Sequence, residues 1–600
     1  MVLWWSSPGL RETPLCGCTN RGLRPARHRL RRAGTAHYTP AMTGGDTVHG
    51  GVLAARALRA GGVSTIFALP GGHVLPIFEG ARREGLRLVD TRHEEGAAMM
   101  ALGWAVATGE TGVCAVTAGP GVANAVPGIA EAHGFGAPVV LLAGKTGLRQ
   151  HNRGAVQDLD QVTLMRPITK WAMTCLQTAR IPDLVAEALH RARSGAPGPA
   201  FLDFPQDVLA AEAAFASSSF GYPEEAPRPG PRAADLDRAV ELLESAERPV
   251  ILAGGGAFWS GAGEALRAFC ERTGIPVTTT STARGLVPDD HPRCLGGLMH
   301  GGIALASADV ALVLGSRFNA NLLYGGLPLF SPGQRVIQVD VAPESVGGNR
   351  RPDVAVASDV TAFLEAATDA WSRDAGHHDE WTERCRQAAE TSRSQWSEQA
   401  DRPSPRINPG WLAREVATFA RGLGRHTIAC DGGDAVVWGI AFAHASGPGR
   451  APYIGSALGT LGVGLPFAMA AKAARPGEPS ILFTGDGAFG LTAMELETAA
   501  RHDLPVVVVV VNNGGWGDVR HEQRAFYGEE ADQGAKLSDM RYDLLAEAMG
   551  GHGERVERQD EVVPALKRAL DSGKPAVVDV LTDPDIESDL IRSLASLDVM

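Results

Sequence analysis

The chain has 600 residues, 44% of them hydrophobic, a formal charge of −12 and 8 cysteines. That length exceeds what one hydrophobic core organises and implies about three domains. The acidic balance argues against a nucleic-acid partner, no apolar run reaches the roughly 20 residues of a membrane span, and Cys16 and Cys18 stand too close for the usual metal-ligand pair, so the chain reads as a protein of the reducing cytoplasm.

In chain order, residues 1–41 differ in kind from the rest. Arg11, Arg21, Arg24, Arg27, Arg29, Arg31 and Arg32 stand against a single acid, Glu12. Such a segment reads as an Arg-rich, acid-poor transit peptide, as a disordered leader, or as a translated stretch ahead of a start at Met42 in "MTGGDTVHGG". Residues 46–210 read as one α/β domain: the strands "STIFAL", "GVCAVT", "APVVLLAG" and "PAFLDFP" alternate with helical segments and end in glycine or proline turns. Residues 211–232 are a linker by composition. A second α/β domain spans 233–370, with strands "PVILAGGG", "IPVTTT", "ADVALVLGS" and "QRVIQVDV". Its turn "AGGGAFWSGAG" hints at a nucleotide but lacks GxGxxG. Residues 371–408 form a polar helical connector, and 409–590 a third domain that ends in the strand "PAVVDVLT". No short repeat is present.

The third domain carries the most specific pattern. "PSILF" and "VVVVVV" are short apolar runs, and "LTAMELETAARH" between them has helical spacing, which together make a β-α-β unit. Right-handed crossover then sets Asp486 and Asn513 just beyond the carboxyl ends of two strands of one sheet, where ligands bind. A carboxylate, an amide carbonyl and loop carbonyls are hard donors that suit Mg2+ held together with phosphates. Gly485, Gly487, Gly514 and Gly515 let backbone approach a diphosphate.

GDG followed at this spacing by NN resembles the thiamin diphosphate motif. That resemblance implies a Mg2+ site made by Asp486, the side chain of Asn513 and the backbone carbonyl of Gly515, with Gly485, Gly487, Ala488 and Trp516 lining the cofactor. The segment "VDTRHEEGAAMMALGWAVATGETGVCAVTAGPGVANAVPGIAEAHGFGAPVVLLAG" is similar to the N-terminal segment of the same family. It implies that Glu94 is the carboxyl that hydrogen-bonds the aminopyrimidine and activates the cofactor. Glu95 reads as a helix-start acid. The loop GTLG resembles the support under the thiazolium ring, which assigns Leu461 to that support and the Gly459 backbone to the aminopyrimidine. "CDGGDAVVWG" resembles the loop around the diphosphate, which adds Gly433 and Asp434, although an aspartate facing a diphosphate needs another partner.

The order of pyrimidine-binding, central Rossmann-like and diphosphate-binding domains, an α/β fold of three consecutive parallel-sheet domains, covers nearly everything after Met42. It resembles the acetolactate synthase superfamily, and because the resemblance begins only there, Met42 is the favoured start. The resemblance implies a homodimer or homotetramer in which Glu94 and Asp486 come from different subunits. It also implies FAD, ADP or nothing in the central domain, where "GSRFNANLLYGG" is similar to a nucleotide-facing turn.

Within the superfamily, "NNGGWGDVRHEQRAFYG" looks like the acetohydroxyacid synthase segment, but Glu522 replaces that enzyme's specificity tryptophan. Trp516 and His73 instead match benzaldehyde lyase, with His73 as proton shuttle or hydroxyl partner or, from the residues alone, a loop histidine capping a helix. "NRGAVQDLDQVTLMRPITKW" is similar to both that lyase and the 2-hydroxyacyl-CoA lyases, and Gln157 within it matches a cavity glutamine. Phe526 and Tyr527 read as packing residues. The implied activity is Mg2+-dependent decarboxylation of a 2-keto acid such as pyruvate with ligation to a second carbonyl. Run backwards, it is cleavage of a 2-hydroxy ketone or 2-hydroxyacyl-CoA. A cofactor-binding subunit without turnover is the third reading.

Overall fold

The computed structural model describes residues 47–214, 222, 227–374, 376–450, 456 and 458–595. The arginine-rich leader, Cys16, Cys18 and residues 215–221 and 223–226 of the expected linker lie outside them.

The first part of the chain holds β1 (Thr47–His49), β2 (Thr65–Ala68), β3 (Arg87–Asp90), β4 (Gly112–Val116), β5 (Val139–Lys145), β6 (Trp171–Thr174), β7 (Ala200–Pro205) and β8 (Glu212–Ala214). Six of them form a parallel sheet in the order β3-β2-β4-β5-β7-β6. β8 instead pairs antiparallel with β1, so the first residues of the expected linker are a strand that closes on the start of the domain.

The middle part holds β9 (Pro249–Ala253), β10 (Val277–Thr279), β11 (Cys294–Gly297), β12 (Val310–Leu314), β13 (Arg335–Asp340) and β14 (Val354–Ala357). They form a parallel sheet in the order β11-β10-β9-β12-β13-β14. The connector is a single helix, Asp379–Ala400. The last part holds β15 (Thr427–Asp431), β16 (Ser480–Gly485), β17 (Val507–Asn512), β18 (His552–Val556) and β19 (Ala576–Leu581), parallel in the order β15-β16-β17-β19-β18. β17 is buried along its whole length, which is why its valine run shows no alternation: helices cover both faces of a parallel sheet.

The helix Glu94–Thr108 ties the first and last parts together. His93, in extended conformation, precedes it and its ring accepts from Glu95 N at 3.2 Å, and Gly109 ends it at φ +77°. It is buried on nearly every side because it packs on its own sheet and on the helix Gly464–Ala474. Gly103 permits the close approach, since a Cβ there would lie 3.0 Å from Ala470 Cβ. One apolar core therefore runs from Phe67, Met99 and Leu102 to Leu465, Phe467 and Leu496.

The segment read as one helix, "LTAMELETAARH", is two: Asp486–Thr492 and Glu495–Arg501. The break falls where the Thr492 hydroxyl turns to the Gly462 carbonyl at 2.8 Å and Glu495 turns to the Arg92–His93 backbone. Among the described residues no helix is long and apolar enough to cross a membrane.

Candidate active site

The carboxyl ends of β15, β16 and β17 lie side by side, with Asp431 opposite Thr484 and Gly485 opposite Val511. β16 runs directly into the helix that Asp486 begins. The Asp486 side chain is 2% exposed, and its Oδ2 accepts from Gly515 N at 3.1 Å. Asn513 Oδ1 accepts from the same N–H, also at 3.1 Å. Acid and amide oxygens thus converge on one glycine. The neighbouring Asn512 does something else: buried, it donates from Nδ2 to Asp579 Oδ1 in β19 at 2.8 Å and accepts from Gly514 N at 3.2 Å. The paired asparagines divide the work, Asn512 pinning the loop to the sheet and Asn513 facing the site.

Burial pushes the Asp486 carboxyl up to about 6 against the pull of its backbone donors. A carboxylate held in so dry a place gains most from a cation. Among the described residues no group of three His, Cys, Asp or Glu side chains is disposed to hold a metal. The donors here are one carboxylate, one amide and backbone carbonyls, a set that suits Mg2+ shared with phosphates. The residues fit the ion.

Around this point the glycines make room rather than merely bend. A Cβ on Gly487 would lie 2.6 Å from Trp516 Cε3, so the indole rests on the GDG turn. One on Gly433 would lie 2.4 Å from Asp518 Cβ, and one on Gly517 2.5 Å from both Asn513 Nδ2 and Asp434 Oδ2. Ala488 is buried beside them. Asp434 does have another partner: His521 Nδ1 lies 3.0 Å from its Oδ2, and His521 Nε2 faces the Pro584 carbonyl at 3.0 Å. Burial works to lower the histidine, but Asp434 and the Pro584 carbonyl outweigh it and hold its pKa raised. Asp518 is pushed up to about 7, first by burial and then by Asp434 and Glu522. The repulsion expected at Asp434 is thereby offset within the protein. Sequence reasoning missed Asp518 and His521, although both lie within the quoted segment after the asparagines.

The loop that carries Gly459 and Leu461 stands beside the GDG helix. Gly459 has φ +73° and donates to Ser456 O at 3.0 Å; Gly464 N donates to Asp431 Oδ2 at 2.9 Å, which anchors the loop to the end of β15. Leu461 is half-buried, and Leu458, Leu491 and Met494 around it are exposed. Phe526 and Tyr527 do not pack into the core as expected: they are 56% and 81% exposed, because the helix Gly517–Tyr527 ends in the solvent.

The other residues gather at the carboxyl ends of β2 to β5. Glu94 is 6% exposed, and its Oε2 accepts from Asn124 Nδ2 at 3.0 Å. A Cβ on Gly121 would clash with Thr117 Cγ2 at 2.9 Å and would meet Glu94 Oε1 only at van der Waals distance, 3.4 Å. Gln157 holds φ +62°, an uncommon conformation for a residue with a side chain, and its Oε1 lies 3.4 Å from Thr117 Oγ1. His73 packs against Gly144, and its buried Nδ1 has no hydrogen-bond partner among the described residues. It does not cap the next helix, whose N-cap is Val74 without a side-chain bond. Gln161, not singled out from the sequence, fixes the loop beside Glu94: its Oε1 accepts from Gly119 N at 2.7 Å and its Nε2 donates to Asp203 Oδ2 at 3.0 Å.

The site residues therefore form two groups, Asp486, Asn513, Gly515, Trp516, Gly433 and Asp434 in one and Glu94, His73 and Gln157 in the other. Among the described residues no hydrogen bond joins Glu94 to any member of the first group.

The middle sheet adds a cavity of about 1300 Å³. It opens where β9 and β12 adjoin, the switch point of the sheet order, and is lined by Gly255, Gly256, Arg284, Arg317, Asn319 and Asp340. Both segments read as nucleotide-facing contribute to it. Arg284 Nη2 is paired with Asp289 Oδ2 at 2.8 Å, and its buried Nη1 has no hydrogen-bond partner among the described residues.

Comparison with known proteins matches this layout part by part. The N-terminal TPP binding domain of thiamine pyrophosphate enzymes matches residues 48–164, their central domain 236–367 and their C-terminal TPP binding domain 431–580. An acetolactate synthase large subunit of Mycobacterium tuberculosis is 38% identical over 546 residues, covering 90% of this chain and 97% of the relative. The large subunit of acetolactate synthase isozyme 2 of Escherichia coli is 32% identical over 542 residues, 89% of this chain and 96% of the relative. That of Corynebacterium glutamicum is 33% identical over 550 residues, 89% and 86%. The chain belongs to the thiamine pyrophosphate enzymes, in the family of the acetolactate synthase large subunits.

Proposed function

We propose that this enzyme decarboxylates a 2-keto acid such as pyruvate and ligates the remaining two-carbon unit to a second carbonyl, as an acetolactate synthase-like transferase using thiamin diphosphate and Mg2+. The convergence of Asp486 and Asn513 on Gly515, in a chain that also places Glu94 at the head of a buried helix, carries this reading. When bound, the cofactor supplies the electron sink that the chemistry needs.

The chain's residues supply the rest. Asp486, Asn513 and the Gly515 carbonyl hold the metal; Gly433, Gly485, Gly487 and Ala488 bring backbone to the diphosphate, and the Asp434–His521 pair closes that loop. Gly459, Leu461 and Trp516 support the rings. Glu94 meets the aminopyrimidine, with Asn124 fixing the orientation of its carboxyl. His73, whose Nδ1 has no hydrogen-bond partner among the described residues, takes the substrate's hydroxyl and moves its proton, and Gln157 lines the same cavity and hydrogen-bonds the substrate's oxygen.

A second copy of the chain brings the two groups of residues together. The exposed Leu458, Leu491 and Met494 beside the Leu461 loop support this, since a lone chain would leave them in water. We assign the domains to 46–210, 233–370 and 409–590, and the site of action to the cytoplasm, in keeping with six described cysteines that are all buried and free. The central cavity takes a phosphate-bearing nucleotide, FAD or ADP. The pure protein is expected to carry flavin absorbance if it is FAD; a spectrum without flavin bands leaves ADP or no nucleotide.

Incubation with thiamin diphosphate, Mg2+ and pyruvate is expected to yield acetolactate and CO2 by mass spectrometry, and none from Glu94→Gln. His73 in its unbonded state favours the reverse reading equally well. No product from pyruvate, with cleavage of benzoin or a 2-hydroxyacyl-CoA, would establish the lyase instead.

A further inference from the structure

The turn that leads into Glu94 is held by a residue from the far end of the chain. Glu495, first in the helix Glu495–Arg501, is 2% exposed. Its Oε1 accepts from His93 N at 3.0 Å and Arg92 N at 3.1 Å, and its Oε2 from Arg92 N at 3.1 Å and the Thr498 hydroxyl at 2.6 Å. The same helix end grips the turn again: Arg501 Nη1 lies 2.6 Å from Asp90 Oδ1, Arg501 Nη2 donates to Asp90 O at 2.8 Å, and His502 Nε2 lies 2.9 Å from Asp90 Oδ1.

His93 is the N-cap of the Glu94 helix, so its third helical position is Gly96. In a capping box that position carries a glutamate or glutamine whose side chain reaches back to the N-cap N–H. Here the position is a glycine, and a Cβ built on it would lie 2.4 Å from Glu495 Oε1. The carboxylate occupies the space of the missing local side chain and makes the bond that side chain would have made. Its negative charge also sits at the positive end of the helix dipole. Only Ala493 and Met494 separate Glu495 from the helix that Asp486 begins.

We propose that Glu495 is a positioning residue for Glu94: it completes, from the diphosphate-binding part of the chain, the capping box of the helix that presents the cofactor's glutamate. The proposal rests on the reading of Glu94 given above. It explains why Gly96 is small, why the helix is interrupted after Thr492, and why the helix start is braced without a local acceptor at its third position.

Glu495→Gln keeps the volume but turns an NH2 group toward backbone donors. In the cofactor-free protein, amide exchange measured on a peptide covering residues 90–97 is expected to speed up about tenfold. In the loaded protein, exchange of the cofactor C2 proton is expected to slow about tenfold while the Kd for the cofactor with Mg2+ stays within about twofold. Lost amide protection with a wild-type C2 exchange rate would overturn the proposal and leave Glu495 a structural residue only. Glu94→Gln is the reference: if it slows C2 exchange and Glu495→Gln does not, only this proposal fails. If Glu94→Gln exchanges at the wild-type rate, the reading of Glu94 fails and this one with it. Should Glu495→Gln not fold, Gly96→Ala presses a methyl on Oε1 in a helix that alanine otherwise favours. It is expected to reproduce both changes, and wild-type behaviour in it would overturn the proposal.

Discussion

Asp486→Ala is expected to abolish Mg2+-dependent binding of thiamin diphosphate, with a loss of more than about a hundredfold in affinity by titration calorimetry. The Asp486 carboxylate and the Asn513 amide oxygen both accept from the Gly515 N–H, and Asp486 is the charged member of that pair. Its burial adds a dependence on pH. The Asp486 carboxyl is pushed up to about 6 in the cofactor-free fold from an ordinary value of 3.8. The folded state therefore binds more protons than the unfolded one between those values, and the cofactor-free protein loses stability as pH rises through that window. Asp431 and Asp579, also pushed up to about 6 by burial, add to the same trend. A cation at Asp486 restores the part due to Asp486, so the rise in Tm on adding Mg2+ and cofactor is expected to be larger at pH 7.5 than at pH 5. In Asp486→Ala that rise should vanish at both. Undiminished affinity in the variant would remove Asp486 from the metal site.

What could be read before folding follows from where residues sit in the sheets. The central strands β4, β5, β9, β12, β16 and β17 are buried on both faces, so they spell short, largely continuous apolar runs. The strands the sequence does not announce are β1 and β8, which pair only with each other, and β3, β6, β11, β14 and β18, which all lie at sheet edges. Short and partly solvated, with charged residues in "RLVD" and "HGERV", they lack the apolar run that marks a strand. The same division holds in the site. Asp486 and Asn513 stand at strand ends, flanked by glycines that local physics explains, whereas Glu94 is told from an ordinary helix-start acid only by the resemblance of its segment. The division between Asn512 and Asn513, the Gln161 anchor, the Asp434–His521 pair and the Glu495 cap depend on partners dozens to hundreds of residues away, and no local pattern encodes such a partner.

Glu94→Gln is expected to leave the fold and most of the cofactor affinity intact and to lower turnover by about a thousandfold. The side chain is buried and keeps its volume on substitution, and its one hydrogen-bond partner among the described residues, Asn124, can face an amide as well as a carboxylate by turning its own amide. What the amide cannot do is exchange a proton with the aminopyrimidine. The loss should therefore fall on kcat and on C2 proton exchange, with the cofactor Kd changed only a few-fold, the signature of an interaction used in the reaction rather than in binding. Asn124→Ala tests the same point from outside: it frees the carboxyl to rotate and is expected to cost about tenfold in rate, well short of the roughly thousandfold loss in Glu94→Gln. A Glu94→Gln enzyme that turns over pyruvate at the wild-type rate would leave the carboxylate with no role beyond the charge it adds to the first turn of its helix.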